Sequence, residues 1–313
     1  MSIKAVFQKP WIWSFLGAGL VWLATVAFTR GHGGADVVTA ALSFATFTVI
    51  VGIGQMFVIT TGPGNVDLSI PANIALSGVV AMKVMGVDNA MLPVGFLAAL
   101  GAGLGVGVFN YCLIRVLRIP PIIATLSASF IVLSTAIALS HGIKIKPPPM
   151  LASFTTMQIY GVPVLAVFAG ALAMFMSVVL NRTIYGRSVL GIGQNMRAAW
   201  LSGIKVERIR FATYVLSAVL ASLCGVVLAG FSGGAALNMG EEYLLASIAV
   251  VVIGGTSVAG GKANVAGIWG AALFLFLLVT MLNTFGASAG IRLIMTGLII
   301  VAVITVAGGD EQR

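Results

Sequence analysis

Charge is what this sequence has least of. Only 8% of its 313 residues are Asp, Glu, Lys or Arg, and the acids number eight. Soluble domains carry about a quarter charged residues, so a surface wetted on all sides is excluded. Cysteine and histidine are as scarce, two of each. Cys112 and Cys224 lie inside apolar runs, which excludes a disulfide framework and leaves no metal-ligand spacing. His32 and His141 stand in expected loops without a partner near them in sequence. No stretch reads G-x-x-x-x-G-K-[ST], so any ATP chemistry falls to another chain. An intramembrane enzyme needs clustered His, Asp, Cys or Ser–Lys groups within its spans. None is found, so no catalytic or metal-binding residue is assigned.

What remains is apolar. Hydrophobic residues make up 59% and the mean hydropathy is +1.11. Apolar runs near 20 residues recur, the mark of a polytopic helical membrane protein. About ten spans are expected in one transmembrane domain over 1–313, at 11–28, 37–60, 70–86, 92–117, 122–140, 162–180, 211–230, 243–256, 264–284 and 291–307. The first run resembles a signal peptide, but it is long, carries Trp11 and Trp13 and lacks a clean cleavage site. It reads better as a first transmembrane helix. Small residues crowd the spans, as in Gly101 to Gly107 and at Gly267 and Gly270, and close helix packing accounts for them.

The seventeen Lys and Arg residues are not spread evenly. Six of them, Arg182, Arg187, Arg197, Lys205, Arg208 and Arg210, fall in 182–210 beside the single acid Glu207. A basic side chain at a helix centre costs about 2.5 to 3.5 kcal/mol on the insertion scale. This segment therefore lies outside lipid, on the positive, cytoplasmic side. With both termini inside, twelve basic residues fall on that side and five on the other; the reverse orientation inverts the bias. The balance implies a membrane orientation and needs no nucleic-acid partner. Within the segment Ile192, Met196, Trp200 and Ile204 share one i, i+4 row, the pattern of a short amphipathic helix along the membrane face.

Two Gly-rich elbows interrupt the helical pattern. The first is Thr60 to Pro71, where Pro63 and its flanking glycines should end one helix. Asp67 or Ser69 can cap the next, with Pro71 in its first turn. The second is Gly254 to Lys262. Interrupted helices in two halves of a chain point to a substrate path, and cytoplasmic turns between short helices are the plainer alternative. Two outward loops are expected. His141 to Val162 holds Pro147, Pro148 and Pro149, which favour a stiff extended segment. Ser232 to Tyr243 carries Glu241 and Glu242.

The chain resembles the membrane subunits of ATP-binding-cassette importers, of the ribose, xylose and arabinose permease type. The likeness is carried by Tyr185-Gly-Arg187 through Gly193-x-Asn195-x-x-Ala198-Ala199-x-x-Ser202-Gly203-Ile204-x-Val206, continuing to Tyr214, Leu216, Ser217, Ala221 and Gly225. It is also carried by Ile248 to Gly261 and by Val66-Asp67-Leu68-Ser69. The resemblance implies a cytoplasmic coupling helix, about Gln194 to Gly203, that seats in an ATPase. Its coupling residues here are Gln194, Asn195, Arg197, Ala198, Ala199, Ser202 and Gly203. The expected path residues are Asn65, Asp67, Ser69 and Asn73 at the first elbow and Thr256 and Ser257 at the second. Also implied are a bacterial inner-membrane location, a separate ATPase using ATP and magnesium, a periplasmic sugar-binding protein and a second permease copy or paralogue. The Gly-Gly-Thr-Ser-x-x-Gly-Gly and Asp-Leu-Ser elements favour a sugar or polyol importer over the related branched-chain amino-acid permeases. An ion-coupled carrier is the other alternative, although Asp67 is the only acid near a span interior. Departures cluster at the elbows: Gly-Pro-Gly-Asn before Val66, Pro71 after Ile70, and Lys262-Ala263-Asn264 after Gly261.

Overall fold

The computed structural model describes residues 10–31, 33–140 and 146–288, with 290, 291, 294, 295, 297, 298 and 301 beyond them. The helices are α1 (Pro10–Phe28), α2 (Gly34–Thr60), α3 (Ile70–Met85), α4 (Leu92–Arg115), α5 (Pro121–Ser140), α6 (Pro149–Thr156), α7 (Val164–Arg182), α8 (Ile184–Gln194), α9 (Met196–Leu201), α10 (Val206–Phe231), α11 (Tyr243–Ile253) and α12 (Val265–Thr284). Prolines open several of them: Pro71, Pro93 and Pro149 sit in the first helical turn, where a missing N–H costs nothing.

The first nine expected spans each contain a helix. The tenth, with His32 and His141, falls wholly or largely outside the described residues. Among the described residues six helices are long and apolar enough to cross a membrane, and three apolar ones are shorter. The chain is an all-α polytopic membrane protein.

α10 is the central strut. It packs against α4, α3 and α2, while α12 lies between α1 and α2, and α11 fills the gap between α2 and α12. Phe47, Ile50, Ile53 and Phe57 of α2 meet Cys224 and Val227 of α10, Val250 of α11 and Ile268 of α12 in one apolar core. The glycine run of α4 has two faces. A Cβ on Gly107 would stand 2.7 Å from the Val215 Cα, and one on Gly103 would stand 2.5 Å from the Ser222 Cβ. At Gly101 and Gly105 a Cβ would meet nothing within 4 Å. Close packing thus explains half of the run.

Two expectations are corrected. The Pro147–Pro149 segment is not extended throughout: Pro149 starts α6, whose Leu151 and Thr155 are buried and pack against Gly230. A hairpin of β1 (Gln158–Ile159) and β2 (Val162–Pro163) follows, with Gln158 opposite Pro163. Nor is 192–204 one helix. Asn195 takes an extended conformation, φ −160° and ψ 102°, and separates α8 from α9.

Candidate functional site

The first elbow begins where α2 stops at Thr60. Gly62 and Gly64 adopt φ of 123° and 76°, conformations a side chain rarely tolerates, and the chain then runs unwound to Ser69. Its polar side chains turn inward and find partners. The Asp67 carboxylate accepts from Ser69 N (3.0 Å), Ser69 Oγ (2.6 Å) and Ser217 Oγ (2.8 Å). The Asp67 amide donates to Gln55 Oε1 (3.1 Å), and Asn110 Nδ2 donates to Ser69 Oγ (2.7 Å). Thr125 Oγ1 accepts from Leu68 N (3.0 Å). The expected cap is therefore corrected: Asp67 closes a local turn onto Ser69, and Ser69 makes no side-chain bond to α3.

Asn65 clasps the elbow to α10. Its Oδ1 accepts from Arg210 Nη2 (2.7 Å) and the Tyr214 hydroxyl (3.3 Å), while its Nδ2 donates to Gly62 O (3.0 Å). Asn73 Nδ2 donates to Ala218 O (2.7 Å). These pairings give a ruler. α10 has 26 residues and is about 39 Å long; Ser217, beside Asp67, lies about 17 Å along it. The unwound segment therefore runs from near the start of α10, where Asn65 meets Arg210, to the middle of α10, level with Asp67 and the start of α3. Asn65, Asp67, Ser69 and Asn73 are all buried, at 5%, 1%, 0% and 0% exposure.

The second elbow follows α11. Ser257 N donates to Lys262 O (3.1 Å), Asn264 N to Thr256 Oγ1 (3.3 Å), and Thr256 and Ser257 are buried. Its glycines touch the first elbow. Gly261 N donates to Thr60 O (3.0 Å), and a Cβ on Gly260 would stand 2.6 Å from the Gly62 Cα.

The basic segment reaches the same point. A Cβ on Gly193, in the last turn of α8, would overlap both the Thr60 carbonyl and the Gly261 nitrogen. Gln194 Nε2 donates to Gly261 O (3.4 Å). Asn195 Oδ1 then accepts from Ala198 N (2.9 Å) to start α9, and Ser202 Oγ donates to Ala198 O (2.9 Å). Gly203, at φ 84°, turns the chain into α10. Ala199 is buried with Ile192 and Val206. Gln194, Asn195, Arg197, Ala198, Ser202 and Gly203 are exposed.

Sequence reasoning placed the basic segment and the elbows apart; the structure brings all three together at Thr60, Gly193 and Gly261. It also adds Gln55, Asn110, Thr125, Arg210, Tyr214 and Ser217 to the elbow. Gln55 and Asn110 carried a usable signal, since polar amides inside apolar spans call for a partner. Gln55 Nε2 and Asn110 Oδ1 are buried without one among the described residues.

Known permeases are similar to this chain along most of its length. The chain is 30% identical to the ribose import permease protein of Escherichia coli K12 over 271 residues, 85% of this chain and 83% of that one. The ribose import permease protein of Bacillus subtilis 168 is 33% identical over 263 residues, covering 82% and 79%. The fructose import permease protein of Rhizobium meliloti is 30% identical over 297 residues, covering 91% and 82%. No solved structure matches. Residues 37–304 match the family described as branched-chain amino acid transport system / permease component. The chain belongs to that permease family.

Proposed function

We propose that this chain is the transmembrane permease subunit of an ATP-driven importer for a monosaccharide or sugar-like polyol, in a bacterial inner membrane. About ten spans with both termini inside suit its charge bias. A partner ATPase binds ATP and magnesium, a periplasmic binding protein delivers the solute, and a second permease copy or paralogue completes the path.

The observation that carries this reading is the junction at Thr60, Gly193 and Gly261. Backbone packs on backbone there, so a displacement of the basic segment moves both elbows with little side-chain slack to absorb it. The elbows are the right targets. An unwound stretch that reaches the middle of α10 belongs at membrane depth there, where irregular backbone persists only beside protein or a water-filled path. In this reading ATP binding draws the docked segment inward, the junction passes the motion on, and the elbows alternate access. Asn65, Asp67, Ser69, Asn73, Thr256 and Ser257 shape the path by fixing the elbows. Gln55 and Asn110 hold spare hydrogen-bonding groups, which suits a polyhydroxyl solute in transit. The sugar reading is favoured by the ribose and fructose relatives; the family description favours a branched-chain amino acid as second reading.

Gly193→Ala tests the junction. In proteoliposomes with ATPase and binding protein, ATP hydrolysis should continue while uptake falls about tenfold, the scale of a coupling defect. Uptake equal to that of the unaltered chain would remove the junction from the mechanism.

A further inference from the structure

The first two turns of α10 hold two neighbours at once. Glu207, Arg210, Phe211 and Tyr214 stand at i, i+3, i+4 and i+7 and so share one face of the helix. Toward the elbow, Arg210 and Tyr214 meet Asn65. Toward α4, Glu207 Oε2 accepts from the Tyr111 hydroxyl at 2.7 Å and lies 2.9 Å from Arg115 Nε. The same hydroxyl is 2.9 Å from the Glu207 carbonyl. The Tyr111 ring joins the two attachments, edge-on to Phe211 with centroids 5.6 Å apart and 6.0 Å from Tyr214.

α4 is held to α10 in two different ways along its length. In its middle Gly103 and Gly107 lie so close to Ser222 and Val215 that a side chain has no room. That contact is fixed by shape. At the cytoplasmic end the contact is an ion pair whose Arg115 and Glu207 side chains are 58% and 49% exposed. An ion pair that far in water is weak and screened by salt, so it can open. Glu207 also has other cations to turn to. It is the single acid between Arg182 and Arg210, and it shares a groove with Arg115, Arg197, Lys205 and Arg208. Among the described residues only Arg115 is in an ion pair with it. Arg197 and Lys205 belong to the basic segment, so a shift of that segment changes which cation lies nearest the acid.

We infer that Glu207 is a latch: it holds the cytoplasmic end of α4 to α10 in this conformation and releases it when the basic segment moves. α4 then tilts about the Gly103 and Gly107 contact. The stretch from Gly107 to Arg115, about 12 Å long, is the lever arm. This rests on the importer reading, in which the ATPase moves the basic segment, and it gives that segment a second output. The junction at Thr60, Gly193 and Gly261 moves the elbows, and Glu207 sets α4 free in the same movement. Glu207 is thus a positioning residue that touches neither ATP nor solute.

The test places spin labels at Leu117, just beyond α4, and at Asn181, near the end of α7, both exposed. α7 shares one apolar core with α10, so the distance between the labels follows α4 against that core. Cys112→Ser removes the exposed native thiol, and Cys224 is buried. The full-length permease is measured in nanodiscs with the ATPase and binding protein that support its uptake. Without nucleotide the labelled, otherwise unaltered chain should show one distance, and with ATP a second, longer one. Glu207→Ala and Glu207→Gln should each populate the longer distance without ATP, and uptake per ATP hydrolysed should fall about fivefold or more. Arg115→Glu combined with Glu207→Arg should restore both readings, which neither change does alone. A role confined to packing gives no such rescue. The latch is overturned, and the importer reading left intact, by a distance that ignores Glu207→Ala, by a charge swap without rescue, or by a single distance in a chain whose uptake follows ATP. Uptake by the unaltered chain that is indifferent to ATP would remove the importer reading, while the nucleotide-free distances of the Glu207 variants still decide the latch.

Discussion

Asn65 occupies one of the positions at which the elbow departs from the related importers, and the structure gives it a task. Its Oδ1 accepts from Arg210 Nη2 and the Tyr214 hydroxyl at once, with no carboxylate involved. Asn65→Ala leaves two donors facing a lost acceptor, and a buried unpaired polar group costs about 1–3 kcal/mol. We expect a lower unfolding temperature in detergent for Asn65→Ala. A double-mutant cycle with Arg210→Met should show coupling, because each change removes the other's partner. Additive effects would show that the clasp contributes nothing. The clasp was invisible in the sequence because its members are separated by 145 and 149 positions, and no local pattern links them. Asp67 was legible as important yet misread as a cap, since its use depends on Ser217 from a distant helix.

Helices were legible where composition alone decides them, as in the apolar runs of α2, α4 and α10. They were misread where two local rules compete. Ile192, Met196, Trp200 and Ile204 share a row that predicts one continuous helix, but Asn195 bonds the Ala198 amide and starts a new one. The packed row is Ile192, Ala199 and Val206, which a small alanine hides. Asn195→Ala removes that cap at a cost of about 1 kcal/mol. Hydrogen exchange should quicken across 196–203 while α10 stays protected. In the 147–149 segment the prolines predict an extended chain, yet Pro149 suits a first helical turn equally well. For α4 the sequence showed crowded glycines without their faces. Gly107→Leu should destabilise the bundle strongly, since the Val215 backbone blocks it, while Gly105→Leu should be near neutral. Equal effects in thermal unfolding would contradict the packing of α4 on α10.

At the scale of the whole molecule, one continuous strut, α10, carries an unwound elbow along half its length, and the basic segment feeds directly into that strut. The glycines at Gly193, Gly260 and Gly261 let three chain segments meet without side chains between them. The sequence displayed each segment separately but not their meeting, because tertiary proximity has no local signature. The arrangement explains how a chain without a phosphate-binding loop of its own can be driven by a partner. Two energy sources would leave different marks. The most direct test is uptake of labelled monosaccharides into proteoliposomes holding this permease, its ATPase and its binding protein, with and without ATP on the ATPase side and with a protonophore added. Uptake that requires ATP and the binding protein and survives the protonophore is the predicted result. Uptake that proceeds without ATP and collapses with the protonophore would contradict it.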